Sequence, residues 1–275
     1  QSSMQAPKTT AGGRTEEDTP AVAFEDVSLT YKGAGGESLT GLRFSVPKGS
    51  TVGVIGGTGS GKTSLVNLIP RFYDATKGRV LVDGRDVRDY SLEELRRKVG
   101  VVPQKAVLFS GTIRENLLWG NEQASDKELY EALDTAQARE VVANREEGLD
   151  AAVEQGGKNF SGGQKQRLTI ARALVGNPEI LILDDSASAL DFATDARLRK
   201  ALRNLRRKTT VFIVSQRTSS IQHADQIIVL DDGKPAGIGT HQELLESCPE
   251  YQEIYYSQFD AGSAKKNAGK EAANA

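Results

Sequence analysis

The sequence predicts an α/β fold in which helices cover both sides of a mainly parallel sheet. Short apolar runs rich in β-branched residues recur along the chain, for example at 51–55, 99–102 and 180–183. Such runs are typical of strands that are buried on both faces. Helical segments alternate with these runs, and this order favours a parallel sheet. An N-terminal antiparallel β layer and an inserted α-helical subdomain complete the predicted architecture.

The antiparallel layer is predicted near the start of the chain. Residues 22–31 and 42–46 alternate in the manner of strands on either side of a Gly-rich loop at 33–36. A further short strand is expected at 78–82, ending in the turn pair Asp83-Gly84.

Helices are predicted where the β-branched pattern lapses or where capping signals occur. We place the inserted helical subdomain at about 105–175, with helices at 112–118, 125–137 and 161–175. Outside it, helices are expected at 91–98, 191–208, 240–246 and 251–258, and strands at 210–214 and 226–230. Capping boxes are predicted at Ser91 and Ser125, because each is followed three residues later by Glu.

Composition limits the class of protein. The 275 residues carry a formal net charge of −2, which gives no overall attraction to nucleic acid or anionic lipid. The single cysteine, Cys248, excludes an internal disulfide and fits a reduced cytosolic compartment. We expect residues 1–20 to be a flexible linker or tag remnant, 21–259 to form the folded domain, and 260–275 to be a flexible tail.

The segment 56–63 predicts a phosphate-binding loop. Its Gly-x-x-x-x-Gly-Lys-Thr pattern lies between a predicted strand and a predicted helix, so its N–H groups can form an anion nest at the helix N-terminus. Lys62 is expected to reach the β- and γ-phosphates of ATP, and the Thr63 hydroxyl to bind Mg²⁺. The core is therefore expected to be a P-loop NTPase core. The ATP-binding residues of this loop are predicted to be Gly56, Gly57, Thr58, Gly59, Ser60, Gly61, Lys62, Thr63 and Ser64.

A carboxylate follows the apolar run 180–183 at Asp184. Open α/β sheets build their sites beyond strand ends, and hard cations prefer oxygen ligands. We therefore expect Asp184 to lie beside the phosphate-binding loop and to help hold Mg²⁺.

Together with Gln104 and the signature Ser161-Gly162-Gly163-Gln164, these motifs resemble the nucleotide-binding domain of ABC transporters over about 21–258. The resemblance implies that Tyr31 stacks on adenine and that Gln104 contacts Mg²⁺. It also implies that Asp191 belongs to the D-loop, and that the signature faces ATP held by a second nucleotide-binding domain.

The run 108–117 and the last predicted helix resemble the exporter branch of that family. In that branch, the resemblance implies contact with the coupling helices of membrane domains. The chain would then work at the cytoplasmic face of a membrane.

The sequence departs from the family pattern at the catalytic pair. The glutamate expected after Asp184 is Asp185, and the histidine expected in the switch loop is Gln216. A milder departure is Gln155, where exporters usually carry glutamate. Because the signature is intact, the chain resembles the degenerate half of heterodimeric ABC exporters, which binds ATP and turns it over slowly.

Three other functions stay open at this point. The chain could be a fully active homodimeric exporter ATPase, a soluble ABC ATPase unconnected with transport, or a regulatory module that only binds nucleotide. A nucleic-acid role is disfavoured, because the stretch between Lys62 and Ser161 contains no long coiled coil and no basic stripe stands out.

Overall fold

A computed structural model describes residues 19–186, 188–205 and 209–258 of the chain. The strands, in chain order, are β1 (Val22–Leu29), β2 (Leu39–Val46), β3 (Thr51–Gly56), β4 (Lys77–Val82), β5 (Arg85–Asp86), β6 (Val99–Val102), β7 (Gly111–Thr112), β8 (Ala152–Val153), β9 (Ile180–Asp184), β10 (Thr210–Val214), β11 (Gln226–Asp231) and β12 (Lys234–Gly239). The helices are α1 (Lys62–Asn67), α2 (Leu92–Lys98), α3 (Ile113–Leu118), α4 (Asp126–Thr135), α5 (Arg139–Ala143), α6 (Gly162–Val175), α7 (Phe192–Asn204), α8 (Thr218–Ile221), α9 (His241–Ser247) and α10 (249–258).

The central sheet has the order β12-β11-β3-β10-β9-β6. All of its neighbouring strands are parallel except the β11–β12 pair. Val214 at the end of β10 lies opposite both Val54 of β3 and Asp184 of β9. The carboxyl ends of these three strands therefore meet at one edge, and the predicted α/β fold with a mainly parallel sheet is confirmed.

Strand side chains alternate between two apolar cores, because successive residues point to opposite faces of a sheet. In β9, Ile180 and Ile182 pack in the core shared with the antiparallel sheet, whereas Leu181 and Leu183 pack in the core on the other face. All five β9 residues are buried. This two-sided burial accounts for the unbroken apolar run that the sequence shows there.

The antiparallel layer is a separate sheet with the order β2-β1-β4-β5. Its β1–β2 and β1–β4 pairs are antiparallel, as the alternating sequence predicts. Phe24 and Phe44 stack across it with ring centroids 4.5 Å apart. This sheet packs over α1 and one face of the central sheet, and so backs the phosphate-binding loop.

Four helices, α3 to α6, lie between β6 and β9 in the chain, where the sequence predicts helical structure. Thr112, Ser125 and Ser161 each begin a helix with a reciprocal capping box. The box predicted at Ser91 is half formed. Ser91 Oγ accepts from the Glu94 amide at 3.1 Å, but the Glu94 carboxylate pairs with Arg85 at 3.1 Å.

Six elements are absent from the sequence prediction: the short helices α5 and α8, the two-residue strands β5, β7 and β8, and the edge strand β12. Residues 206–208 of the helix predicted at 191–208 lie outside the described residues, as do the predicted terminal segments 1–18 and 259–275. Within the described part of the chain, no helix is both long and apolar enough to cross a membrane.

A glycine in β4 offers a test of the contact between β1 and β4. Gly78 has φ +75°, and an added Cβ would lie 2.3 Å from the Glu25 carbonyl oxygen. We expect Gly78→Ala to lower the free energy of unfolding by roughly 2–4 kcal/mol, because it adds a backbone clash to left-handed strain. Chemical denaturation measures this. The matched control is Gly36→Ala, where a Cβ meets nothing within 4 Å; an equal loss in the control would contradict the explanation.

Candidate functional site

The phosphate-binding loop joins the end of β3 to the start of α1. Gly59 and Gly61 have φ +82° and +94°, values that residues with a side chain rarely adopt. An added Cβ at Gly61 would also lie 2.7 Å from the Leu39 side chain. The loop therefore curls against the antiparallel sheet, and Gly61 is the N-cap residue of α1 without a capping side chain. This leaves the first N–H groups of α1 for a ligand.

The Lys62 side chain folds back onto the phosphate-binding loop. Its Nζ donates to the carbonyl oxygens of Gly56 at 2.8 Å and Gly57 at 2.6 Å. Partial burial lowers the pKa of Lys62, and the nearby carboxylates of Asp184 and Asp185 oppose that shift. The ammonium is thus held at the loop, within electrostatic reach of both carboxylates.

Two carboxylates stand at the end of β9, each tied to a different element. Asp184 Oδ1 accepts from Thr63 Oγ1 at 3.1 Å, which joins β9 to α1. Asp185 Oδ2 accepts from Gln104 Nε2 at 3.2 Å, which joins it to the segment after β6. Burial raises the pKa of both aspartates, and for Asp184 the negative charge of Asp185 adds to the rise.

The backbone of Asp185 is in the left-handed region, with φ +44°. Its N–H donates to the Val214 carbonyl at 3.0 Å, and its carbonyl accepts from Ser188 Oγ at 2.8 Å. Aspartate tolerates this conformation better than most residues with a side chain. The main chain of Asp185 is therefore held by a hydrogen bond on each side of its Cα.

A cavity of about 460 Å³ opens over the loop. Its lining residues are Tyr31, Glu37, Ser38, Gly59, Gly61, Lys62, Thr63, Ser64, Asp232 and Gly233. Four of them were not predicted from the sequence: Glu37, Ser38, Asp232 and Gly233. The Asp232-Gly233 pair, with φ +43° and +75°, is the β11–β12 turn, and an Asp-Gly pair between strands is a hairpin signal that the sequence analysis missed.

Tyr31 forms one wall of this cavity. Its hydroxyl donates to Ser64 Oγ at 2.8 Å, and its ring meets Tyr73 edge to face with centroids 4.9 Å apart. The ring is thus held from two sides beside the phosphate-binding loop. A planar base can stack on a ring fixed in this way.

The switch-loop residue Gln216 follows β10, the strand between β3 and β9, and its side chain is exposed. Ser215, just before it, donates its N–H to the Val54 carbonyl at 3.1 Å. Gln216 therefore lies at the edge where the phosphate-binding loop and the two aspartates also lie.

The signature residues and Asp191 are not among the residues that line the cavity. Ser161 Oγ accepts from the Gln164 N–H at 3.2 Å, and Gln164 Oε1 accepts from the Ser161 N–H at 3.0 Å. Ser161 and Gly162 are exposed at the N-terminus of α6. Asp191 caps α7 by accepting from the Thr194 N–H at 2.9 Å. The N-terminus of α6 at Ser161 is thus already capped and faces solvent.

The oxygen atoms near Lys62 fit a hard cation such as Mg²⁺. Thr63 Oγ1 and Asp184 Oδ1 are adjacent, and the Gln104 amide is tied to Asp185 beside them. Among the described residues, no three His, Cys, Asp or Glu side chains gather to hold a metal ion. A cation here would therefore need phosphate oxygens and water to complete its shell, as Mg²⁺ in nucleotide sites does.

Residues 39–188 match the family profile described as ABC transporter. The chain belongs to the ABC transporter family. The match runs from β2 to the start of the D-loop and so contains the phosphate-binding loop, Gln104, the signature and both aspartates.

Similar proteins of this family include exporters. An uncharacterized ABC transporter ATP-binding protein of Mycobacterium bovis is 45% identical over 247 residues, which are 89% of this chain and 42% of that protein. A provisionally named multidrug export ATP-binding/permease protein of Staphylococcus aureus is 41% identical over 86% of this chain and 41% of its own length. The solved structure of a bacterial Atm1-family ABC exporter with ATP bound superposes with a TM-score of 0.83 and 37% identity, covering 91% of this chain and 44% of that one. This ABC domain thus spans less than half of the length of each.

The two contacts of Tyr31 allow its ring and its hydroxyl to be tested separately. We expect Tyr31→Ala to weaken ATP binding by roughly 1–2 kcal/mol, because a stacking surface is lost. Tyr31→Phe keeps the ring and loses the hydrogen bond to Ser64, so it should bind ATP nearly as well as wild type. Titration calorimetry with ATP measures both. Equal losses in the two variants would show that the ring does not stack.

Proposed function

We propose that this chain is the ATP-binding domain of an ABC exporter and works at the cytoplasmic face of a membrane. It would bind MgATP in the cavity over the phosphate-binding loop. The observation that carries the proposal is the edge where β3, β9 and β10 end, because Lys62, Thr63 and Asp184 meet there in the arrangement that a triphosphate and a cation need.

In this proposal each residue binds a different part of the nucleotide. Tyr31 stacks on adenine, the loop N–H groups bind phosphate oxygens, and Lys62 moves from the Gly56 and Gly57 carbonyls to the β- and γ-phosphates. Thr63, Asp184 and Gln104 would hold Mg²⁺ and its water shell. The bound ion would neutralise charge on the phosphate oxygens.

Hydrolysis at this chain's own site would be slow. A residue at position 185 must orient the attacking water, and the aspartate side chain is one methylene shorter than the glutamate typical of the family. A shortfall of roughly 1 Å can reduce the rate about a hundredfold. Gln216 can donate a hydrogen bond to the γ-phosphate, but it cannot carry positive charge as a histidine can.

The intact signature would serve a different site. Ser161 presents its hydroxyl beside Gly162 on an exposed helix N-terminus. A second ABC domain, on a different chain, is not needed to form this surface but is needed to use it. We therefore propose a heterodimer in which the partner's ATP is hydrolysed against this signature.

The membrane domains would meet an exposed aromatic pair. Phe109 and Trp119 stack with centroids 4.4 Å apart, and 67% of Trp119 is exposed. Phe109 lies in the exporter-like run 108–117, and Trp119 follows that run at the end of α3. An apolar surface of this kind supports contact with the coupling helices of a membrane domain.

A fully active homodimeric ATPase is the second candidate. It is favoured by the carboxylate that Asp185 retains and by its hydrogen bond to Gln104. Turnover by the chain alone separates the two candidates.

We expect the purified chain to bind MgATP and to release phosphate slowly, with no steep increase in rate as its concentration rises. Phosphate release at several protein concentrations measures this. Rapid turnover without a second polypeptide would favour the homodimer.

In the assembled pair, Asp185→Glu with Gln216→His should raise turnover at the Lys62 site, and an unchanged rate would refute this account of the slow step.

Two matched serines test the role of the signature. Ser161 and Ser125 form the same capping box, so substituting either by Ala should lower the free energy of unfolding by about 1 kcal/mol. In the assembled pair, we expect Ser161→Ala to slow the partner's ATP turnover and Ser125→Ala to leave it unchanged. Equal turnover in both variants would place the signature outside the partner's site.

A further inference from the structure

The last described residue, Gln258, ties the C-terminal helix to the switch loop. Its Oε1 accepts from both the N–H and the hydroxyl of Thr218, each at 3.0 Å. Its Nε2 donates to the carbonyl oxygen of Gln216 at 2.7 Å. One amide side chain thus makes three hydrogen bonds to the segment that follows β10.

The helix that carries Gln258 is anchored independently of the switch loop. Tyr251 of α10 is fully buried, and its hydroxyl lies 2.8 Å from His241 Nδ1 on α9. Gln252 Nε2 donates to the Leu245 carbonyl, also on α9, at 2.8 Å. Gln258 is therefore held by the body of the domain, and the switch loop is held by Gln258.

The switch loop has few restraints of its own near Gln216. Residues 215–217 lie between the end of β10 and the start of α8, outside regular structure. The Arg217 N–H donates to Ser215 Oγ at 2.9 Å, which closes a local turn. Within the described structure, Gln258 hydrogen-bonds both to the Gln216 carbonyl and to the first N–H of α8. These two hydrogen bonds restrain the orientation of the backbone at 216–218.

We infer that Gln258 is a positioning residue that aims Gln216 at the γ-phosphate of ATP. The inference rests on the proposed function, because it needs ATP in the cavity over the phosphate-binding loop. ADP lacks the phosphate that Gln216 would contact. The C-terminal helix therefore sets the preference of this site for ATP over ADP, although it does not line the cavity.

The test compares ATP and ADP affinity in variants of the full 275-residue chain, by calorimetry with Mg²⁺ present. We expect Gln258→Ala to weaken ATP binding about fivefold and to leave ADP binding unchanged, because one hydrogen bond to a charged group is weakened. In a Gln216→Ala background, Gln258→Ala should have no further effect on ATP affinity. The matched control is Glu253→Ala, which alters an exposed position of the same helix that makes no hydrogen bond to the switch loop in the described structure, and it should change neither affinity.

Gln258→Glu provides a second variant, since it keeps the acceptor for Thr218 but sets an oxygen against the Gln216 carbonyl. It should also lose the preference for ATP over ADP. If thermal melting shows that Gln258→Ala is poorly folded, Gln258→Glu replaces it as the test. A parallel loss of ATP and ADP affinity, or an undiminished effect without Gln216, would overturn the inference while leaving ATP binding intact. Failure of the wild-type chain to bind MgATP would instead refute the proposed function.

Discussion

Burial of a parallel sheet on both faces is the constraint on which this domain depends. Because β3, β10 and β9 are parallel neighbours, their carboxyl ends lie at one edge, and the polar residues that follow each strand are forced together. The strands themselves carry no polar side chain into the cores, apart from those at their ends. The chemistry is thus separated from the packing, and single residues at strand ends can change without disturbing the cores.

The parts of the fold that sequence could predict are those with strong local signals. The apolar runs that became β3, β6 and β9, and the capping box at Ser125, are such signals. The edge strand β12 was missed because its Gly-Pro-rich sequence is half exposed, so it lacks an apolar pattern. Glu37 and Ser38 were missed as cavity residues because they reach the site through tertiary packing, which spacing along the chain does not encode.

The backbone at Asp185 could not be foreseen either. A left-handed residue directly after a buried strand is set by its N–H bond to β10 and its carbonyl bond to Ser188, both of which depend on the assembled sheet. A longer side chain at this position would reach further toward the phosphate edge, yet it would tolerate the left-handed backbone less well. At position 185, a longer side chain would therefore gain reach toward the phosphates but add strain to the backbone.

Ser161 uses a lone pair to cap α6, and its proton takes no part in that bond. A hydroxyl has one hydrogen to donate and two sites that accept. The serine can therefore cap its own helix and donate its hydroxyl hydrogen to a phosphoryl oxygen at the same time, without breaking the cap. Because the cap already restricts rotation about its side chain, little rotamer entropy remains to be lost when that oxygen arrives.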